Sequence, residues 1–164
     1  VIAYEQVFDM PYTIIRPSAL YGERCVSRRV GQIFIENAIT GKPIQVAGDG
    51  GDRLDFTYIE DFCQGVSRAI ACDAARNQIF NMTYGESRSL KELICVLREE
   101  FPDVEIEFRE KDKLTPDRGT LSVEKARQLI GYAPEFPLEV GYRKYIRWYR
   151  EHYRAFKRSR NGIS

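Results

Sequence analysis

Histidine and tryptophan each occur once in the 164 residues, and methionine twice. With one imidazole, His152, and four cysteines that form no Cys-x-x-Cys pair, a conventional zinc site lacks its ligands. Uninterrupted apolar runs are only a few residues long, so no segment reads as a bilayer span. The amino end shows no charged-then-apolar leader with a small-residue cleavage site. An excess of one charge is missing too, since 25 Lys+Arg face 24 Asp+Glu for a net of +1. There is no P-loop, no Gly-x-Ser-x-Gly elbow, no His-Glu-x-x-His and no Gly-x-Gly-x-x-Gly after a strand. Membrane-spanning, collagen-like and disulfide-stapled classes therefore drop out, and the expected setting is the cytoplasm. What is present suits a globular domain with a real core: 43% hydrophobic and 30% charged residues. Cys63 and Cys95 fall in apolar helical patterns and are expected as buried thiols in a reducing compartment. The chain begins with Val rather than Met, which reads as a piece or a trimmed form.

Charge is unevenly distributed. From Gly141 onward there are eight basic residues and one acid, against 17 basic and 23 acidic before it. Such a segment can attract nucleic acid. Tyr145, Tyr149, Tyr153 and Phe156 recur within it at helical spacing, however, and an amphipathic helix packed on a core is the stronger reading.

Strands and helices alternate along the chain, which argues for α/β architecture. Residues 1–9 read as a helix end, and Tyr12–Arg16, bounded by Pro11 and Pro17, as a buried strand. Val30, Ile33, Phe34 and Ala38 trace one helix face, stopped by Gly41 and Pro43. Ile44–Ala47 reads as a short strand and residues 48–52 as a turn. Arg53–Tyr58 reads as an alternating strand with Leu54, Phe56 and Tyr58 on one face. Phe62, Val66, Ala69 and Ile70 mark a helix, and Ile79–Met82 a strand. Ser89-Leu90-Lys91-Glu92 is a capping box opening a helix whose apolar face is Leu90, Leu93, Ile94, Leu97 and Phe101. Val104–Phe108 resembles an edge strand, Ser122 can cap a short helix through Ile130, and a long helix begins near Leu138. By organisation, residues 1–24 end a first domain, 25–156 are mainly a second lobe that can return elements to the first, and 157–164 form a basic tail without order.

Candidate chemistry rests on arginines outside helices: Arg16, Arg24, Arg28, Arg29, Arg53, Arg88 and Arg118. Guanidinium groups bind phosphate oxygens through paired hydrogen bonds, so several converging would suit a diphosphate. For Arg53 the plainer alternative is a salt bridge to Asp52 or Asp55.

Four segments in order carry a resemblance: Tyr12–Gly22 with its Arg16-Pro17-Ser18-Ala19-Leu20-Tyr21-Gly22 loop, Gly41–Gly50, Arg53–Asp61, and Asp117-Arg118 followed by Ser122–Ala126 and Leu129–Tyr132. Together they resemble the carboxy-terminal half of the NAD-dependent nucleotide-sugar epimerase/dehydratase family, the extended short-chain dehydrogenases. The resemblance implies the end of a Rossmann-like α/β domain joined to a small substrate-binding lobe. It implies NAD as cofactor, held mainly by an absent amino-terminal half, with Pro17 and Ser18 near the nicotinamide. It also implies that Arg53 and Arg118 clamp the diphosphate of a nucleotide-sugar, that the main chain around Gln45 and Ala47 flanks the base, and that Arg29 and Val30 lie against the substrate. The family's Tyr-x-x-x-Lys pair is not in this chain, so the expectation is an intact homodimeric enzyme acting by transient oxidation of a sugar hydroxyl, with this piece inactive alone. Ala19 stands where many members have Asn, and Leu54 separates Arg53 from Asp55 where the family pairs Arg directly with Asp. The alternative reading is a non-catalytic nucleotide-binding or protein-interaction module of the same fold.

Overall fold

The computed structural model describes residues 1–161 apart from Val26, residues 112–115 and Asp117, with side chains described through Tyr153. The chain opens with α1 (Ile2–Phe8), which buries none of its residues, then β1 (Thr13–Arg16) and β2 (Ala19–Tyr21). α2 (Val30–Ile39) leads to β3 (Ile44–Ala47), and β4 (Arg53–Leu54) is followed at once by β5 (Phe56–Tyr58) and α3 (Ile59–Ala71). A single 3-10 turn, Asp73–Ala75, precedes β6 (Gln78–Asn81), β7 (Arg88–Ser89) and α4 (Leu90–Glu100). β8 (Ile106–Arg109), α5 (Glu124–Ile130) and α6 (Leu138–Asn161) complete the order.

Among the described residues the strands form four two-stranded ladders. β1 runs parallel to β6, β2 to β5 and β3 to β8, while β4 and β7 are antiparallel. Parallel neighbours need crossover connections, and the helices between them supply these. Two apolar clusters result. The larger gathers Phe34, Ile35, Leu93, Leu97, Tyr142, Tyr145 and Tyr149 from α2, α4 and α6. The smaller packs Phe80, Met82, Ala126, Ile130 and Tyr132 with Ile15 of β1 against it.

Local chemistry explains the best-defined helix start. At α4 the Glu92 N–H donates to Ser89 Oγ (3.2 Å) and the Ser89 N–H donates to Glu92 Oε2 (2.7 Å), closing the capping box. The turn at residues 48–52 carries Gly48 and Gly50 at positive φ, and Lys91 closes over it onto Asp49 at 2.9 Å.

Several expectations need correction. Arg53–Tyr58 is not one alternating strand: it breaks at Asp55, which is wholly buried, and Thr57 is buried between Phe56 and Tyr58 because its hydroxyl accepts the Tyr84 N–H. Ile70 is 82% exposed, since its place on α3 turns away from both clusters. Cys63 and Cys95 are exposed, on the outer faces of α3 and α4. α5 starts at Glu124 with Val123 in the cap position and no side-chain cap; Ser122 Oγ makes only a 3.4 Å contact with the Glu124 N–H. α6 continues to Asn161, so residues 157–161 are helical where a tail without order was expected. Phe156 lies outside the described side chains. Tyr145 and Tyr149 are fully buried, as the helical spacing required, and the basic residues beside them turn onto acids. Arg143 pairs with Glu99, Arg150 with Glu100, and Lys144 with Glu60 at 2.8 Å. The described part of the basic stripe is thus largely neutralised within the molecule.

Candidate functional site: an arginine-rimmed cleft

Gly22 makes the turn that opens the site. Its φ is +146°, and a Cβ there would lie 2.3 Å from Ile59 Cγ2, so β2 can leave the strand above α3 only with glycine at this position. The loop that follows is tethered by Glu23, whose Oε1 accepts the Tyr58 hydroxyl at 2.5 Å. Arg24 and Arg28 both adopt positive φ, and Arg29 occupies the cap position of α2. This places Arg28 and Arg29 on the rim of a cleft of about 550 Å³ whose floor comes from β2, Leu54 and Phe56. A smaller recess of about 160 Å³ adjoins it, bordered by Asp52, Arg53 and Leu90. Val30, Leu54 and Arg118 line both, so Arg118 stands at the junction.

The structure brings Ser18, Arg29, Val30, Arg53 and Arg118 around these two recesses. Pro17 is the exposed neighbour of Ser18 at the carboxyl end of β1. Gln45 and Ala47 are exposed on β3, opposite the buried Ile44 and Val46, and do not line either recess.

The arginines differ in what they are free to do. Arg53 bonds to neither Asp52 nor Asp55. Its Nε donates to Ser87 Oγ (3.2 Å), its Nη2 to the Ser87 carbonyl, and its Nη1 lies 3.7 Å from Glu92. Asp52 pairs instead with Lys111 at 2.6 Å. Arg28 pairs with Glu36 at 3.4 Å, and Arg29 Nε donates to the Ser27 hydroxyl at 3.2 Å. Among the described residues Arg118, which is exposed, has no carboxylate partner.

Two acids that the pattern Arg53–Asp61 contains hold the frame rather than the ligand. Asp55 accepts from the Gly85 N–H (3.1 Å), the Thr83 hydroxyl (2.9 Å) and the Leu121 N–H (3.1 Å). Asp61 accepts from the N–H groups of Glu135 (2.7 Å) and Phe136 (3.1 Å), while burial pushes its carboxyl above the usual range. Sequence reasoning missed Asp55 and Asp61 as hubs, along with Ser87 and Thr120, because their partners lie 28 to 75 positions away in the chain. It also missed the apolar floor of Leu20, Leu54 and Phe56. The β-branched and aromatic content of these strands was the signal available, and it does not say which face meets a ligand.

A second depression of about 420 Å³ lies between the ends of α2 and α4, lined by Glu100, Asp103, Glu105 and Lys42. Its acidic wall suits no anion. The arginine-rimmed cleft does, and an apolar floor under cationic rims fits a ligand with a phosphate and an uncharged ring or sugar.

Parallel ladders crossed by helices define a Rossmann-like α/β protein. The model of the NAD dependent epimerase/dehydratase family matches residues 1–83, half of the chain, and the protein belongs to that family. The chain is 28% identical over 152 residues to the UDP-glucose 4-epimerase of Mycolicibacterium smegmatis, covering 90% of this chain and 48% of that protein. It is 26% identical over 151 residues to a dTDP-glucose 4,6-dehydratase of Actinoplanes sp., covering 91% and 47%. Among solved structures, epimerase Mth375 from Methanothermobacter thermautotrophicus superposes with a TM-score of 0.90 at 23% identity, over 96% of this chain and 48% of that one. The UDP-glucuronic acid 4-epimerase of Bacillus cereus, in complex with UDP-glucuronic acid and NAD, gives 0.85 at 24%, over 92% and 48%. The chain spans about half the length of the relatives it matches.

Proposed function

We propose that this chain is the substrate-binding half of a nucleotide-sugar epimerase or 4,6-dehydratase that works by transient NAD-dependent oxidation of a sugar hydroxyl. The observation that carries the reading is the cleft itself: Arg118, with no acid partner among the described residues, at the junction of two recesses, Arg29 on the rim, and Val30, Leu54 and Phe56 beneath. A diphosphate needs fixed cations, and a ring or sugar needs a shaped wall beside them. A bound NAD would supply the intact protein with reversible hydride transfer to and from the sugar. The residues here that fit such a cofactor are Pro17 and Ser18, at the carboxyl end of a parallel strand where α/β proteins bind their ligands, with Ser18 lining the larger recess. Arg53 would add to the electrostatic attraction of the site. Gln45 and Ala47 stay outside the lining and take no part in this reading.

The one Tyr-x-x-x-Lys spacing in the sequence, Tyr153–Lys157, lies on the last helix and not ahead of β1, and there is no dinucleotide fingerprint, so alone this chain is expected to bind without turnover. The intact enzyme would be a cytoplasmic homodimer, and the apolar residues that α1 exposes, Ile2, Tyr4, Val7 and Phe8, support its use as a contact surface. No helix among the described residues is long and apolar enough to cross a membrane. Calorimetric titration with UDP, dTDP and uridine tests the reading. The diphosphates should bind, uridine should bind far more weakly, and Arg118→Ala should weaken the diphosphates about tenfold or more, the loss expected for one charge-assisted contact. Equal binding of UDP and uridine, or an Arg118→Ala chain that binds UDP like the parent, would overturn it.

A further inference from the structure

We propose that Thr120 is a positioning residue, which holds Arg118 over the cleft through a latch made with Ser87 and Arg53; the inference rests on the phosphate-binding reading of that cleft. Residues 118–121 belong to no helix or strand, so main-chain ladders do not fix them. Two side-chain anchors do. The Ser87 N–H donates to Thr120 Oγ1 (2.9 Å) and the Thr120 hydroxyl donates to Ser87 Oγ (3.0 Å). One residue on, the Leu121 N–H donates to Asp55 Oδ2 (3.1 Å).

Arg53 stands behind the latch. Its guanidinium holds both the hydroxyl and the carbonyl of Ser87, so Ser87 Oγ accepts from Arg53 Nε on one side and from Thr120 on the other. A serine oxygen has two lone pairs, and both are used. Between Thr120 and Arg118 lies only Gly119, where an added Cβ would meet nothing within 4 Å. Among the described residues, the hydrogen-bonded anchor nearest to Arg118 is the Thr120 hydroxyl. Arg53 lines the smaller recess with its side chain half exposed, so it can brace the latch and still face the ligand. Orienting a binding group from a second layer of hydrogen bonds is a common route to a preorganised site.

The test compares the parent chain with Thr120→Val, Thr120→Ser, Arg118→Ala and the Thr120→Val/Arg118→Ala pair. Valine keeps the shape and loses both hydrogen bonds, whereas serine keeps the hydroxyl. Titration with UDP should show Thr120→Val weakened about tenfold, the scale of a misplaced binding group. Thr120→Ser should stay within about twofold, and Thr120→Val should cost nothing further once Arg118 is alanine. Additive losses in the double variant, or parental affinity in Thr120→Val while Arg118→Ala is weakened, would overturn the positioning role and leave the cleft reading intact. A ligand-free measurement separates the other case. Trypsin cleavage at the Arg118–Gly119 bond, followed by mass spectrometry, should be several-fold faster in Thr120→Val and restored by Thr120→Ser. If UDP fails to bind the parent chain while this pattern holds, the phosphate reading falls and the latch stands. Equal cleavage rates in all three chains would overturn the latch itself.

Discussion

Asp55 is wholly buried and accepts three hydrogen bonds from Thr83, Gly85 and Leu121, segments that would otherwise end in unpaired donors. Removing the carboxylate strands all three, so Asp55→Ala should lower stability by about 3 kcal/mol or more in a urea titration, as for other broken buried networks. Glu92 behaves differently because it is only part-buried. The Ser89 N–H first, and the Arg88 guanidinium with it, hold its carboxyl down to about 2 from an ordinary 4.5. The folded state therefore binds that proton less readily than the unfolded chain. The stabilisation is complete above pH 4.5 and drains away as the pH falls toward 2. Thermal melts of Glu92→Gln across this window should show a flatter acid limb and a lower melting temperature at neutral pH. At this scale the sequence revealed the capping box, because Ser89 and Glu92 are three residues apart. It hid the partner of Arg53, which is 34 positions away and reached only once β4 lies beside β7.

Helices in this protein approach their neighbours closely, and two glycines permit it. On α6, a Cβ at Gly141 would lie 2.4 Å from Tyr21 Oη and 3.1 Å from Tyr58 Cβ. On α3, a Cβ at Gly65 would lie 2.7 Å from Met82 Sδ. Gly141→Ala gains about 1 kcal/mol of helix propensity but must move a buried ring, and overpacking of this kind typically costs about 1–3 kcal/mol. We expect net destabilisation. Tyr21 Oη has no hydrogen-bond partner among the described residues, so Tyr21→Phe alone should be neutral or stabilising. Combined with Gly141→Ala it should restore most of the lost stability. A double-mutant cycle of melting temperatures checks both statements. The helical periods of α2, α4 and α6 were legible as apolar stripes because such a stripe is a local property. The break of 53–58 into two strands was not, because Asp55 is drawn inward by donors from distant loops.

The molecule as a whole places its larger core beneath α6 and its cleft at the end of that core, where β2, β5 and the start of α2 converge. A ligand that binds there and not to the unfolded chain should raise the melting temperature. At a hundredfold excess over its dissociation constant the gain is about 2.7 kcal/mol, or roughly 5–10 °C for a protein of this size. UDP should produce the shift in scanning fluorimetry, uridine should not, and Arg118→Ala should abolish most of it. The sequence by itself determined the α/β alternation, the main helical faces, the amphipathic character of α6 and the membership of the family. Each depends on residue type and short-range spacing, or on an ordered set of motifs. Only the tertiary structure decided what each arginine faces. Arg53 is bound to Ser87, Arg28 to Glu36 and Arg143 to Glu99, whereas Arg118 is carried to the junction of two recesses by a hydroxyl and a buried carboxylate. A guanidinium binds whichever oxygens the fold brings within reach. Its role is therefore set by contacts that span tens of residues, which local spacing does not encode.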